Sequence, residues 1–306
     1  MDKNSVDWAG SMTAIVTPFH ADGRLDEFAF RHVVEWMLTS RVTGIVVGGC
    51  TGEFWSMTVD ERKHLFKLCV DTVAGRVPVI AGTGAITLSD SIDMTRHAHT
   101  VGCAGAMVMP PYFVKLGAND IVAHFQAISD AVPLPLMAYN IPANNVNALT
   151  PAIVDRLADV SNVVALKESS FDFDTFSESL RRVRDRLLVF GPTFKFGVGG
   201  VALGCVGSVG TLHHIWGSGP TELDEAAARF DLARTAELQE QAARIWEVVR
   251  ANGDNLYAVL KASMNIIGLP GGFPRSPLQP ISGTHLADLK EGLRRLGLDQ
   301  IMASAA

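Results

Sequence analysis

Eight short apolar runs recur along the chain, and each is separated from the next by a longer amphipathic segment. The runs cover residues 11–19, 43–49, 77–84, 105–111, 135–140, 163–169, 187–192 and 204–210. Near-continuous apolar runs of this length are typical of strands that are buried on both faces of a parallel sheet. The segments between them have apolar residues at helical spacing, so the sequence predicts strand and helix alternating eight times.

Several of the intervening segments also carry signals for the start of a helix. Asp26 precedes a segment with helical periodicity, and Thr58 is followed three residues later by Glu61, which is the pattern of a capping box. Repeated units of strand and helix favour an α/β fold, a (β/α)8 TIM barrel. A doubly wound open sheet is the alternative, because alternation does not show whether the sheet closes.

The chain beyond the eighth run is dominated by helical patterns. They cover residues 221–250, 255–268 and 285–297, and no segment rich in Gly, Pro or Ser separates them from the rest as a linker. We therefore expect a (β/α)8 barrel over residues 1–220 and a C-terminal helical extension over residues 221–306, packed on the barrel.

Composition excludes several functional classes. Of the 306 residues, 48% are hydrophobic and 19% charged, enough apolar material for a large core. The net charge of −6 and the lack of basic runs interleaved with aromatic residues argue against a nucleic-acid partner. No apolar stretch reaches the roughly 18 residues that a membrane span needs, and no signal peptide is recognisable. We expect a cytoplasmic protein with no membrane partner.

Polar residues follow three of the predicted strands. In a parallel barrel the C-terminal ends of the strands form one rim, where catalytic residues lie. Thr51, Tyr139 and Lys167 stand at the ends of the second, fifth and sixth runs. Taken alone, Lys167 is more simply explained as a lysine that reaches past the strand end into water. Because both residues stand at the C-terminal ends of predicted strands, however, Lys167 is expected to lie on the same rim as Tyr139.

Lys167 and Tyr139 together suit Schiff-base chemistry. An imine-forming lysine must first be neutral, and at an unperturbed pKa near 10.4 only about one molecule in a thousand or fewer is neutral at pH 7. The apolar residues 163–166 desolvate the amine and so lower its pKa. A tyrosine hydroxyl can transfer protons as the imine forms, and the glycine-rich turn at residues 48–53 offers N–H groups to a carboxylate. The sequence therefore predicts a site for a 2-oxo acid.

Several motifs in register at these strand ends match a known family. GxTGE after the second run, YNxP at the fifth, KE at the sixth and GS at the eighth resemble the dihydrodipicolinate synthase/N-acetylneuraminate lyase family of class I, Schiff-base-forming pyruvate aldolases. The resemblance extends from residues 17–19 to residues 268–282. It implies a barrel with C-terminal helices, a homotetramer built from dimers, and no cofactor beyond the covalent imine.

The resemblance also implies roles for individual residues. Lys167 becomes the Schiff-base lysine and Tyr139 the proton shuttle. Cys50 and Thr51 bind the substrate carboxylate, largely through their backbone N–H groups. Further substrate contacts are expected at the ends of the second and eighth runs, from Gly49, Val206 and Ser208.

Three positions depart from the lysine-pathway synthase. Its hydroxyl relay uses a threonine where this chain has Cys50, and a tyrosine of the partner subunit where this chain has Phe113. A thiol is a poorer hydrogen-bond relay, and a phenyl ring is none. The synthase also grips its second substrate with an arginine shortly after YNxP, where this chain has Asn144. An amide lacks the charge and the fork geometry of arginine, which disfavours the synthase reaction.

Other motifs favour the sugar-acid members of the family. GEFWSMT at residues 52–58 and MPPYF at residues 109–113 are similar to motifs of keto-deoxy-sugar-acid dehydratases. The acidic residues with which N-acetylneuraminate lyase holds a polyol are missing from GPTF, where Thr193 is the only polar side chain. Ser169 is expected to hold a substrate hydroxyl.

The leading prediction is a Schiff-base-dependent lyase, an aldolase or dehydratase. Its substrate is a 2-oxo-3-deoxy sugar acid, or pyruvate plus an aldehyde. The alternatives are 4-hydroxy-tetrahydrodipicolinate synthase and a non-catalytic barrel that binds a 2-oxo acid.

Glu53 and the cysteines and histidines are interpreted as structural residues rather than as catalytic residues or metal ligands. Glu53 is expected to cap backbone N–H groups in its turn. We predict no metal site, because the four cysteines form no CxxC pair, and His97 and His99 are two residues apart on a helix, a spacing that does not place them on one face. The pair at residues 213–214 is interpreted in the same way.

Overall fold

The structure, a computed structural model, describes residues 1–253 and 255–298. Eight parallel strands form a closed barrel in chain order. They are β1 (Gly10–Ala14), β2 (Gly44–Val47), β3 (Val79–Gly82), β4 (Gly105–Val108), β5 (Leu136–Asn140), β6 (Val163–Glu168), β7 (Leu188–Phe190) and β8 (Gly207–Gly210). The predicted (β/α)8 barrel is confirmed. The open-sheet alternative is wrong, because β1 pairs with β8 and closes the sheet.

Twelve α-helices are found in the described ranges. Eight of them follow the strands around the barrel: α1 (Glu27–Thr39), α2 (Val59–Val73), α3 (Leu88–Thr100), α4 (Ala118–Ala131), α5 (Pro151–Leu157), α6 (Phe173–Val183), α7 (Thr193–Ala202) and the short α8 (His213–Trp216). Four form the C-terminal part: α9 (Gly219–Ala228), α10 (Leu232–Ala251), α11 (Leu256–Ile266) and α12 (Gly283–Arg295).

The barrel interior is a packed core below the rim. Met12, Val46, Met107 and Phe190 come from four different strands, and all are buried in one inner cluster. A second, larger cluster fills the space between the strands and the surrounding helices. Because the interior is filled by side chains, the barrel is no pore, and substrates have access only at its ends.

The structure adds detail at two of the predicted helical segments. α7 occupies the predicted helical interval between the seventh and eighth runs although this segment has glycines at 197, 199 and 200 and no capping residue before it, and Gly197 has a non-helical φ of 53°. Residues 221–250, predicted as helical throughout, divide at Phe230, whose φ is 56°. Asp231 then caps α10 by accepting a hydrogen bond from the N–H of Arg234 at 3.0 Å.

The C-terminal helices contact the barrel and its outer helices. α9 packs against α7, β1 and β8, and α10 packs against α7 and α9. The division predicted at residue 220 falls inside α9 and stays a prediction, and residues 299–306 of the predicted extension lie outside the described residues. Within the ranges 1–253 and 255–298, no helix is both long and apolar enough to cross a membrane.

Candidate active site

The register of β5 and β6 brings Tyr139 and Lys167 together. The two residues are direct neighbours across the strands, as are Asn140 and Glu168. Because side chains alternate along a strand, Tyr139 and Lys167 share the inner side of the barrel wall. The Nζ atom of Lys167 lies 4.2 Å from the centre of the Tyr139 ring.

Lys167 is buried at the rim. Burial lowers the pKa of its amine to about 8, against a smaller opposing effect of Cys50. No carboxylate of the described chain forms an ion pair with Lys167. At pH 7 an amine with this pKa is neutral in about one molecule in ten. The site thus supplies far more nucleophilic amine than an exposed lysine would.

Tyr139 keeps its proton at neutral pH. Burial raises the pKa of its hydroxyl well above the ordinary value, and the hydroxyl hydrogen-bonds the side chains of Cys50 and Ser169. Burial also raises the pKa of the Cys50 thiol. The three groups form a chain of neutral hydrogen-bonding partners beside the amine of Lys167.

Glu168 lies next to Lys167 in the sequence but is turned away from it. The side-chain amide of Asn140 donates to both of its carboxylate oxygens, at 2.8 and 3.0 Å, and the N–H of Ser170 donates at 2.8 Å. Burial raises the pKa of Glu168, and the Asn140 hydrogen bonds oppose this. The carboxylate is therefore engaged by Asn140 and Ser170.

A cavity of about 370 Å³ opens above Lys167. Seven of the sequence-predicted site residues border it: Cys50, Thr51, Tyr139, Asn144, Lys167, Ser169 and Ser208. Three do not. Gly49 faces the barrel interior, where an added Cβ would lie 3.2 Å from Cε of Met107. Val206 packs against the inner cluster, and Thr193 is buried at the start of α7.

The turn after β2 is arranged by its own hydrogen bonds. The N–H of Gly52 donates to the carbonyl of Gly49, and the N–H of Glu53 donates to the carbonyl of Cys50, both at 3.0 Å. These bonds do not use the N–H groups of Cys50 and Thr51. Both of those residues border the cavity close to Lys167.

Glu53 faces away from the cavity, into the protein. Its side chain is buried and forms an ion pair with Lys261 of α11. It also accepts a hydrogen bond from the backbone N–H of Arg275 at 2.9 Å. Glu53 itself has a φ of 56°, a backbone conformation that is uncommon outside glycine. The turn is thus fastened to the C-terminal part of the chain.

The histidines after β8 contact neighbouring polar groups. Nε2 of His213 lies 3.3 Å from the hydroxyl of Ser11 and 3.2 Å from that of Thr221. Nε2 of His214 accepts from the N–H of Val16 at 3.1 Å. Across the described residues, no group of three or more His, Cys, Asp or Glu side chains is placed to hold a metal ion.

Phe113 and Asn144, two positions at which this chain departs from the lysine-pathway synthase, lie in different surroundings. The Phe113 side chain is 80% exposed, and Phe113 does not border the cavity of its own chain. Asn144 does border the cavity, and its side chain hydrogen-bonds Tyr257 of α11. This end of the site therefore presents an amide and a phenol.

Sequence reasoning missed six cavity residues on the C-terminal helices, and three of them carry polar groups: Asp224, Trp246 and Tyr257. None stands at a strand end, where the search was concentrated. Asp224 follows Thr221 by three residues and precedes Ala227 by three, and all three are buried. The one local signal for Asp224 was its position, because the helical pattern places apolar residues there and Asp224 is a carboxylate.

The fold and the site together define a class of enzyme. A closed parallel barrel with a buried lysine and a tyrosine at its rim suits a class I lyase, which joins a lysine to a 2-oxo acid as a Schiff base. The sequence profile of the Dihydrodipicolinate synthetase family matches residues 7–296. The chain belongs to this family, whose members are Schiff-base pyruvate lyases, and it is an enzyme of this kind.

Named relatives and solved structures agree with this assignment. A 4-hydroxy-tetrahydrodipicolinate synthase of Desulforamulus reducens is 32% identical, over 96% of this chain and 99% of its own. An uncharacterized DapA-like lyase of Rhizobium meliloti is also 32% identical, over 95% of this chain and 96% of its own. YagE, a prophage protein of E. coli solved in complex with pyruvate, is 26% identical with a TM-score of 0.91, over 96% of this chain and 100% of its own.

Proposed function

We propose that Lys167 forms an imine with the C2 carbonyl of a 2-oxo acid. The observation that carries this is the buried amine, with its pKa lowered to about 8, 4.2 Å from the Tyr139 ring at the wall of a cavity. The amine adds to the carbonyl to give a carbinolamine, and loss of water gives the iminium. The iminium then accepts electrons from a bond at C3, which permits aldol cleavage, aldol addition or loss of water.

Tyr139 is the proton shuttle in this proposal. Its raised pKa keeps the hydroxyl protonated, so it can donate a proton to the departing carbinolamine oxygen. Cys50 and Ser169 hydrogen-bond this hydroxyl and supply a route by which the proton is returned. The N–H groups of Cys50 and Thr51, which the turn does not use, are available to the substrate carboxylate.

The substrate that we propose is a 2-oxo-3-deoxy sugar acid, or pyruvate plus an aldehyde. Ser169 and Asn144 both border the cavity and offer a hydroxyl and an amide to the part beyond C3. The complex of YagE with pyruvate supports a pyruvate unit next to the lysine. The lysine-pathway synthase is a second candidate, favoured by the names of the relatives. It is disfavoured by the neutral amide of Asn144 in place of an arginine.

Borohydride trapping tests the imine. The protein is incubated with pyruvate, reduced, digested and analysed by mass spectrometry, and we expect the adduct on Lys167. Lys67→Ala, which removes an exposed lysine, is the matched control and should trap like the wild type. An adduct on another lysine, or trapping by Lys167→Ala, would refute the assignment. Trapping without turnover of any 2-oxo-3-deoxy acid or aldehyde would favour the non-catalytic binding barrel.

A homotetrameric assembly and a cytoplasmic location stay predictions from the sequence and the family resemblance. Analytical ultracentrifugation tests the first. Cell fractionation of the native host tests the second.

A further inference from the structure

Arg62 of α2 is a buried cation behind the turn that follows β2, and its side chain is only 5% exposed. Lys261 and Arg275, two other cations that are largely buried, form ion pairs with Glu53 and Glu61. Arg62 forms no ion pair with a carboxylate of the described residues, and its Nε atom has no hydrogen-bond partner among them. Because a buried charge without a countercharge costs stability, its presence here indicates a role other than holding the fold together.

The contacts of Arg62 place its charge against this turn. Its guanidinium donates to the backbone carbonyls of Gly82, at the end of β3, and of Gly84, the latter at 3.1 Å. The end of β3 approaches the turn closely, since an added Cβ at Gly82 would lie 3.0 Å from the backbone N of Gly49. The guanidinium also lies 5.1 Å from the centre of the Phe54 ring, directly after the turn. Arg62 therefore lies against the turn without bordering the cavity.

The charge of Arg62 acts on a residue of the site. Burial lowers the pKa of the guanidinium to about 10, so it stays charged at neutral pH. Its charge acts to lower the pKa of the Cys50 thiol, and Cys50 borders the cavity. Tyr112, Asp90 and Cys50 act on Arg62 in return. Burial raises the pKa of Tyr112 and of Cys50 and keeps both neutral, so Asp90 is the one negative charge of these three.

We propose that Arg62 is a positioning residue that gives the site its preference for an anionic substrate. It does not touch the substrate. Its positive charge lies behind the turn whose N–H groups, those of Cys50 and Thr51, face the substrate carboxylate in the proposed function, on which this inference rests. The N–H groups supply direction, and Arg62 supplies the full charge that they lack. A charge in the protein interior acts over a longer distance than one in water, because it is screened less.

A competition between two ketones tests this effect. The protein is incubated with pyruvate and hydroxyacetone together and reduced with borohydride, and the two adducts on Lys167 are quantified by mass spectrometry. Hydroxyacetone has a neutral hydroxymethyl group in place of the carboxylate. Arg62→Gln removes the charge and keeps an N–H donor for the backbone carbonyls. In this variant the ratio of pyruvate adduct to hydroxyacetone adduct should fall about tenfold from the wild-type value.

Two further variants control for the charge and for its position. Arg62→Lys retains the positive charge and should keep the adduct ratio within about threefold of the wild type. Lys67→Met removes an exposed cation of the same helix and should leave the ratio unchanged. Because the ratio compares two adducts on one variant, loss of folded protein cancels, as does a change in the reactivity of Lys167. An equal fall of both adducts in Arg62→Gln would show a merely structural role and would overturn the proposal.

Asp90→Asn tests the same charge effect with the opposite sign, and it decides the question if Arg62→Gln does not fold. The change removes the negative charge that acts on Arg62, at a partly exposed position in the first turn of α3. The adduct ratio should then rise about twofold. A fall in the ratio, or no change, would contradict the role of Arg62.

Failure of the proposed function gives a different result, namely no pyruvate adduct on Lys167 of the wild type. In that case, calorimetric titration of the wild type and of Arg62→Gln with pyruvate still tests the charge effect on noncovalent binding. Binding that is about tenfold weaker in Arg62→Gln supports it. Equal affinity, or no binding by either protein, overturns it.

Discussion

Lys167 and Lys261 are two buried lysines with much in common and with different surroundings. Burial lowers the pKa of each to about 8, and each amine lies over an aromatic ring, at 4.2 Å from Tyr139 and at 4.5 Å from Phe19. Lys261, however, forms an ion pair with Glu53 and donates to the carbonyl of Phe273 at 2.9 Å. Lys167 has no carboxylate partner among the residues that the structure describes, and it borders the cavity.

The comparison teaches that depth of burial does not identify a reactive lysine. The carboxylate of Glu53 acts to raise the pKa of Lys261, so the proton on that amine is held by a direct ionic contact. The group with the largest opposing effect on Lys167 is the thiol of Cys50, which burial keeps neutral. An amine can act as a nucleophile where its proton has no fixed partner and a substrate can reach it.

The largest expected effect is the loss of kcat/KM when the amine of Lys167 is removed, and removal of the Lys261 amine is the comparison. Lys167→Met should lower kcat/KM by at least about ten thousandfold, because loss of the nucleophile removes the covalent route. Lys261→Met should still trap pyruvate per folded molecule, although it loses stability. Borohydride trapping, normalised to folded protein by circular dichroism, makes the comparison. Equal losses in both variants would show that the two lysines do not differ as described.

Removing the carboxylate partner tests the second lysine. Glu53→Gln leaves the buried ammonium of Lys261 without a countercharge, and the free energy of unfolding should fall by about 3 to 5 kcal/mol. Urea denaturation measures the change. Glu35→Gln breaks an exposed pair with Arg76 and should cost much less. A similar loss in both variants would mean that the Glu53 pair has no special role.

Tyr139→Phe tests the hydroxyl beside Lys167. The ring that the amine contacts is retained, so the change removes only the proton shuttle and should slow imine formation about a hundredfold. Rapid mixing with pyruvate followed by borohydride quenching measures the rate. Thr43→Val, which removes an exposed hydroxyl outside the site, serves as the control. Wild-type rates for Tyr139→Phe would exclude the shuttle.

The pH dependence of imine formation sharpens the comparison further. The neutral form of Lys167 is the nucleophile, and its pKa is lowered from 10.5 to about 8. At low pyruvate concentration the rate should therefore rise about fiftyfold from pH 6 to pH 8 and then level off. A rise that continues past pH 10 would show an amine of ordinary pKa, and hence no effect of burial.

The barrel and the rim residues were predictable from the sequence, because both follow from local patterns. Apolar runs at regular intervals define the strands, and the position of Lys167 and Tyr139 at two strand ends places them on one rim. The neighbouring register of β5 and β6 then accounts for their contact. α7 has no local start signal of its own, and tertiary contacts hold it: the side chain of Gln239 donates to the carbonyls of Thr193 and Phe194, both at 3.3 Å.

The part of the cavity wall that the C-terminal helices form was not predictable, because it depends on how these helices return to the barrel. Asp224 and Trp246 lie on α9 and α10, and nothing in their local sequence shows that they reach the strand ends. Lys261 was equally hidden, since its buried partner Glu53 lies more than two hundred residues earlier in the chain. Contacts across such separations depend on packing that no local motif records.

The attachment of the turn after β2 to Lys261 and Arg275 has a consequence for the order in which the protein matures. Glu53 is made early, whereas its partners are synthesised when most of the chain has left the ribosome. All eight strands precede Lys261, so a nascent chain can form its barrel before the turn is fastened. Competence to hold a carboxylate should therefore arrive late in translation, with the final helices.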